Sequence, residues 1–88
     1  MTDIEIYTRE WCSYCEMAKM LLDSKGLTYR EIDVTSDAVR KQEMIQRSGR
    51  HTMPQVFIGS QSIGGYDDLL RFNATGELDR ILGITNKT

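Results

Sequence analysis

Two cysteines, one histidine and one proline are all that this 88-residue chain has of each. A structural zinc site takes four nitrogen or sulfur ligands, so Cys12, Cys15 and His51 fall one short within a single chain, although two chains would be able to share an ion. A disulfide between Cys12 and Cys15 would close a very small loop. Such a loop removes little entropy from the unfolded chain, so the pair makes a poor structural staple. There is no excess of positive charge: 11 Lys and Arg face 13 Asp and Glu, a net −2 that offers nucleic acid no basic footprint. No apolar run approaches about 18 residues, so no membrane span is expected. "MTDIEIYT" opens on an acidic residue and passes straight into a strand-like alternation, without the basic start and apolar stretch of a secretory signal. The expected location is cytoplasmic and reducing, where an isolated CxxC is more often catalytic or metal-binding than structural.

What remains is an ordinary globular composition, 40% apolar and 27% charged, with no linker, repeat or low-complexity tract. The length allows one small domain, residues 1–88, burying roughly 60–65% of its unfolded surface. Ile4 and Ile6 alternate with Glu5 and Tyr7, which predicts a first strand over 4–8. After the cysteines, Tyr14, Ala18, Leu21 and Leu22 form one apolar stripe of a helix running to about Lys25, with Gly26 as its left-handed stop. "TYREIDV" predicts a second strand. Ser36 or Thr35 is the expected cap of a second helix reaching Ser48 and ending at Gly49. The apolar stripe of that helix is thin (Ala38, Ile45, Met44), so it is expected on the outside. Pro54 leads the apolar run Val56–Ile58, as befits a residue that cannot donate to a ladder. A turn near Gly59–Ser60, a short strand at Ser62–Ile63, a helix opened by "GGYDD" and a last turn or two with Leu78, Ile81 and Leu82 complete the chain. The tail "TNKT" reads as frayed. The order is β-α-β-α-β-β-α, an α/β arrangement whose first two strands should pair in parallel across a crossover helix. A CxxC between a strand and a helix in such a chain reads as a thioredoxin-like redox motif.

The chemistry follows from that position. Thiolate is the attacking species, and unpaired N–H groups at a helix start, together with the helix dipole, favour a sulfur anion. Arg9, three residues upstream of Cys12, adds a full positive charge. Cys12 is therefore expected to be largely ionised at neutral pH, and Cys15, one turn in, to stay protonated and act second. With Cys12 ionised the reaction needs no base, and His51 reads as a plain loop residue.

"EIYTREWCSYC", "RSGRHTMPQVFI" and "IGGYDDL", in this order and spacing, make the chain resemble the glutaredoxins, close to the short bacterial type. The resemblance spans nearly the whole chain and implies a thioredoxin fold, with a four-stranded mixed sheet flanked by helices, and glutathione-dependent reduction of glutathionylated or disulfide-containing proteins. By position, Cys12 matches the nucleophile and Cys15 the resolving thiol. Thr52, Met53 and Pro54 match a loop with a cis proline, in which residue 53 pairs its backbone with the cysteinyl part of glutathione. Gly65, Asp67 and Asp68 match the segment holding the γ-glutamyl end. Arg9 replaces a lysine facing the glycine carboxylate, and Tyr14 matches a tyrosine lining the groove. Either aspartate is able to meet the glutathione ammonium, while one of them also caps the helix.

Two positions depart from the family's usual pattern. Ser13 stands where proline is common, and some glutaredoxins with serine there hold a [2Fe–2S] cluster between two protomers, ligated by the nucleophilic cysteine and by glutathione thiols. The alternative to a monomeric enzyme is thus a cluster-bridged dimer with Cys12 as its protein ligand. Tyr66 stands where small residues are common and either narrows the groove or packs over it. Trp11 reads equally as a lid or as a partly buried shield for Cys15. Met17, Met20 and Met44 read as packing. A thioredoxin-like protein reduced by a flavoprotein reductase is disfavoured by Arg9, by GGYDD and by the lack of WCGPC.

Overall fold

The computed structural model describes residues 3–83, so the tail expected to fray lies outside the described residues. The elements are β1 (Ile4–Thr8), α1 (Ser13–Ser24), β2 (Arg30–Asp33), α2 (Ala38–Ser48), β3 (Gln55–Ile58), β4 (Gln61–Gly64), α3 (Tyr66–Ala74) and α4 (Glu77–Leu82). The sheet has the order β2-β1-β3-β4; β1 and β2 are parallel and the other pairs antiparallel. This is a four-stranded mixed sheet with flanking helices, a thioredoxin-like fold.

Period-two alternation divides the core between the two faces of the sheet. Ile4, Ile6, Val56, Ile58 and Ile63 form one apolar cluster with Ala18 and Leu22 of α1, Leu69 of α3 and Leu78 of α4. Tyr7, Ile32, Val34 and Phe57 point the other way and cluster with Met44 of α2. Every residue of β3 is buried because both faces are covered there.

The second face is covered by α2, which lies on the outside and is largely exposed, as its thin stripe predicts. One residue, Met44, is fully buried and closes that face, with Ile45 beside it, whereas Val39 is 79% exposed. Arg47 adds cover: its guanidinium lies 4.0 Å from the Phe57 ring centroid and donates to the Tyr7 hydroxyl and to Glu5, each at 2.9 Å. A basic residue thus does part of the packing that the thin apolar stripe leaves undone. The cap of α2 is neither Ser36 nor Thr35. Asp37 accepts from the Arg40 N–H at 3.0 Å, while the Thr35 hydroxyl is engaged with Asp33 and with the Glu10 N–H.

Candidate active site

β1 delivers the chain to the loop 9–12, and Cys12 becomes the N-cap of α1. Its Sγ accepts the Cys15 N–H at 3.1 Å, one of the donors a helix start leaves unpaired. The two sulfurs stand at disulfide distance, with Cα atoms 5.2 Å apart. Cys15 is fully buried and Cys12 only 7% exposed, less open than the groove edge the sequence suggests. The Met53 carbonyl oxygen lies 3.8 Å from Cys12 Sγ, so the loop leading to β3 accounts for part of that cover. The Met53–Pro54 peptide is cis.

Met53 separates two hollows. The first, about 250 Å³, runs along Thr52, Met53 and Pro54 on one side and the start of α3, Gly65 to Asp68, on the other, with Tyr14 and Arg50 completing its wall. Tyr14 and Tyr66 face each other there, ring centroids 6.0 Å apart. The second, about 230 Å³, is bounded by Arg9, Trp11, Thr35, Lys41 and Met53. Eight residues singled out from the sequence, Tyr14, Thr52, Met53, Pro54, Gly65, Tyr66, Asp67 and Asp68, therefore meet in one furrow, and Cys12 stands beside its Met53 wall.

Arg9 does not join them. It lines the second hollow, and its Nη1 donates to the backbone carbonyls of Glu10 at 3.0 Å and Trp11 at 3.4 Å. Lys41 stands at that hollow too, and Arg50 at the furrow; neither was singled out. Lys41 belongs to "DAVRKQEMIQR", which reads as a solvated helix face, and nothing local in such a run marks the residue that turns toward the site. Trp11 is 94% exposed with φ +56, so it shields nothing. Tyr14 is 60% exposed rather than part of the core stripe, because at the first turn of α1 it projects toward Tyr66. Met17 and Met20, at 40% and 67% exposure, are not packing residues either. At 3.6 residues per turn they share the outward face of α1 with Ser13 and Ser24.

At the head of α3, Asp68 is heavily engaged. One oxygen accepts the Gly65 N–H at 3.0 Å and pairs with Arg50 at 2.8 Å, and the other pairs with Arg71 at 2.5 Å. Partial burial pushes its carboxyl up, but the Gly65 N–H and the two guanidinium groups more than offset this and hold it below the ordinary carboxylate range. Gly64 makes room for it: φ is +115, and a Cβ there would stand 2.7 Å from the Asp68 Cγ.

A thioredoxin-like fold with a CxxC pair joined at the head of its first helix defines a thiol–disulfide oxidoreductase. The glutaredoxin family model matches residues 4–63, and the chain belongs to the glutaredoxin family. It is 51% identical over 82 residues to Glutaredoxin 3 of Escherichia coli (strain K12), covering 93% of this chain and 99% of that relative. Among solved structures it resembles the glutaredoxin of Brucella melitensis, with 45% identity, TM-score 0.83 and coverage of 100% of this chain and 96% of that one. It also resembles a buckwheat glutaredoxin–glutathione complex, with 28% identity, TM-score 0.84 and coverage of 93% and 77%. Among the described residues no helix is long and apolar enough to cross a membrane.

Proposed function

We propose that the protein is a cytoplasmic, monomeric, glutathione-dependent oxidoreductase that reduces protein–glutathione mixed disulfides and protein disulfides through a Cys12 thiolate. The observation that carries this reading is the furrow ending at Met53, next to the Cys12 sulfur, with charge of both signs disposed along it. Glutathione has two carboxylates and one ammonium. With Asp68 already engaged by a backbone N–H and two arginines, Asp67 is the carboxylate left for the ammonium. The first N–H groups of α3 have no intrahelical partners and suit the γ-glutamyl carboxylate. Met53 offers its backbone to the cysteinyl unit, and Arg9 with Lys41 on its far side suits the glycine carboxylate.

In the reduced protein, the Cys12 thiolate attacks the glutathione sulfur of a glutathionylated client. The client's sulfur leaves as a thiolate and takes up a proton, and glutathione remains bonded to Cys12. A second glutathione thiolate attacks that glutathione sulfur, releasing oxidised glutathione and regenerating the Cys12 thiolate. With a protein disulfide, Cys12 first bonds to one client sulfur. Cys15, losing its proton, then attacks Cys12, which frees the client and leaves the Cys12–Cys15 disulfide present in this structure. Two glutathione molecules reduce it.

The test is turnover of a glutathionylated peptide with glutathione and glutathione reductase, compared with thioredoxin reductase. Turnover with glutathione alone is expected, and preference for the flavoprotein reductase would overturn the reading.

A second reading, the glutathione-bridged [2Fe–2S] dimer, draws on the donor set. Cys15 is fully enclosed, and among the described residues no three His, Cys, Asp or Glu cluster to hold a metal, so one chain offers a single sulfur, Cys12. Two such sulfurs and two glutathione thiolates make the four that a cluster needs. Anaerobic purification with glutathione should then give a brown dimer; a colourless monomer under those conditions eliminates this reading.

A further inference from the structure

Gln55, the first residue of β3, is fully buried, and its side chain turns back on the loop before it. Nε2 donates to the Thr52 carbonyl oxygen at 3.0 Å and to Thr52 Oγ1 at 3.2 Å. Chemistry fixes the orientation of the amide. A carbonyl oxygen only accepts, so the edge of the carboxamide that faces it is the NH2. Two consequences follow. The loop is closed around Met53 and Pro54 from the interior side, which keeps the Met53 carbonyl 3.8 Å from Cys12 Sγ. The Thr52 hydroxyl, already accepting from Gln55, has its own proton left to donate elsewhere, and Thr52 is exposed on the furrow.

The other half of the amide is unmet. Gln55 Oε1 is buried without a hydrogen-bond partner among the described residues. That costs free energy which an apolar residue of similar size would avoid, so packing alone gives no reason for a glutamine here.

We propose that Gln55 is a positioning residue for substrate. It holds Thr52–Pro54 in the shape that presents the Met53 backbone and the Thr52 hydroxyl proton to acceptor oxygens of the glutathione moiety. This rests on the glutathione reading above, and the experiment separates the two.

Gln55→Leu is expected to raise KM for a glutathionylated peptide about tenfold while kcat stays within about twofold of wild type, the signature of lost positioning rather than lost chemistry. A folded Gln55→Leu protein with KM within about twofold of wild type overturns the proposal, as does an equal loss in kcat. If Gln55→Leu does not fold, Gln55→Met is judged by the same criteria. If wild-type protein leaves the glutathionylated peptide untouched, the glutathione reading falls, and backbone order at Met53, read by 15N relaxation, decides the positioning claim. Lower order in the variant supports it, and unchanged order overturns it.

Discussion

Cys12→Ser is expected to abolish glutathione-dependent reduction of both glutathionylated and disulfide substrates, whereas Cys15→Ser retains much of the first and loses most of the second. The asymmetry follows from position. Cys12 is the N-cap, with the Cys15 N–H on its sulfur at 3.1 Å and the furrow's Met53 against it; Cys15 is fully enclosed. A hydroxyl in place of the nucleophilic sulfur removes the attacking atom, and the loss should leave no measurable turnover above the uncatalysed exchange. A hydroxyl at Cys15 removes only the group that resolves a client joined to Cys12. Initial rates with a glutathionylated peptide and with a protein disulfide, measured for both variants, give four numbers. Equal losses across all four would refute a route in which one sulfur suffices for deglutathionylation.

The parts of this arrangement legible in the sequence are those that repeat or that punctuate the chain. Ile4 and Ile6 against Tyr7 alternate with period two, and the sheet places them on opposite faces as that period requires. Gly26 and Gly49, each in the left-handed region, follow helix ends where a stop was expected. What stayed hidden are single residues whose role depends on a distant partner. Met44 looks like part of a thin stripe until Tyr7 and Phe57 of two strands meet it. Arg9 looks placed for the furrow because it lies three residues before Cys12, yet its guanidinium turns to the carbonyls of Glu10 and Trp11. Gln55 opens an otherwise apolar strand and gives no local sign that its amide folds back on Thr52. Side-chain direction, unlike helix and strand period, is decided by tertiary neighbours distant in sequence, as Met53 is, 41 residues from Cys12.

Gly64→Ala should lower stability by about 2–5 kcal/mol as backbone strain and collision add. Gly26→Ala separates the two contributions. Gly26 also has positive φ, +69, but a Cβ there meets nothing within 4 Å, so its loss, about 1 kcal/mol, reports strain alone. At Gly64 the new methyl meets the Asp68 carboxylate, which cannot withdraw without releasing the Gly65 N–H, Arg50 and Arg71. Asp68→Ala in the Gly64→Ala background should therefore cost less than it does in wild type, because the collision has already disturbed the carboxylate's bonds. Additive losses in urea unfolding would mean that Gly64 is held for its backbone angle only. Acid supplies an independent check. The Asp68 carboxyl is held below its unfolded value, so its contribution is complete above that value and disappears as pH falls through the folded one. Wild type should lose stability on acidification more steeply than Asp68→Ala, and parallel pH profiles would remove Asp68 from the forces that hold the head of α3 at the furrow.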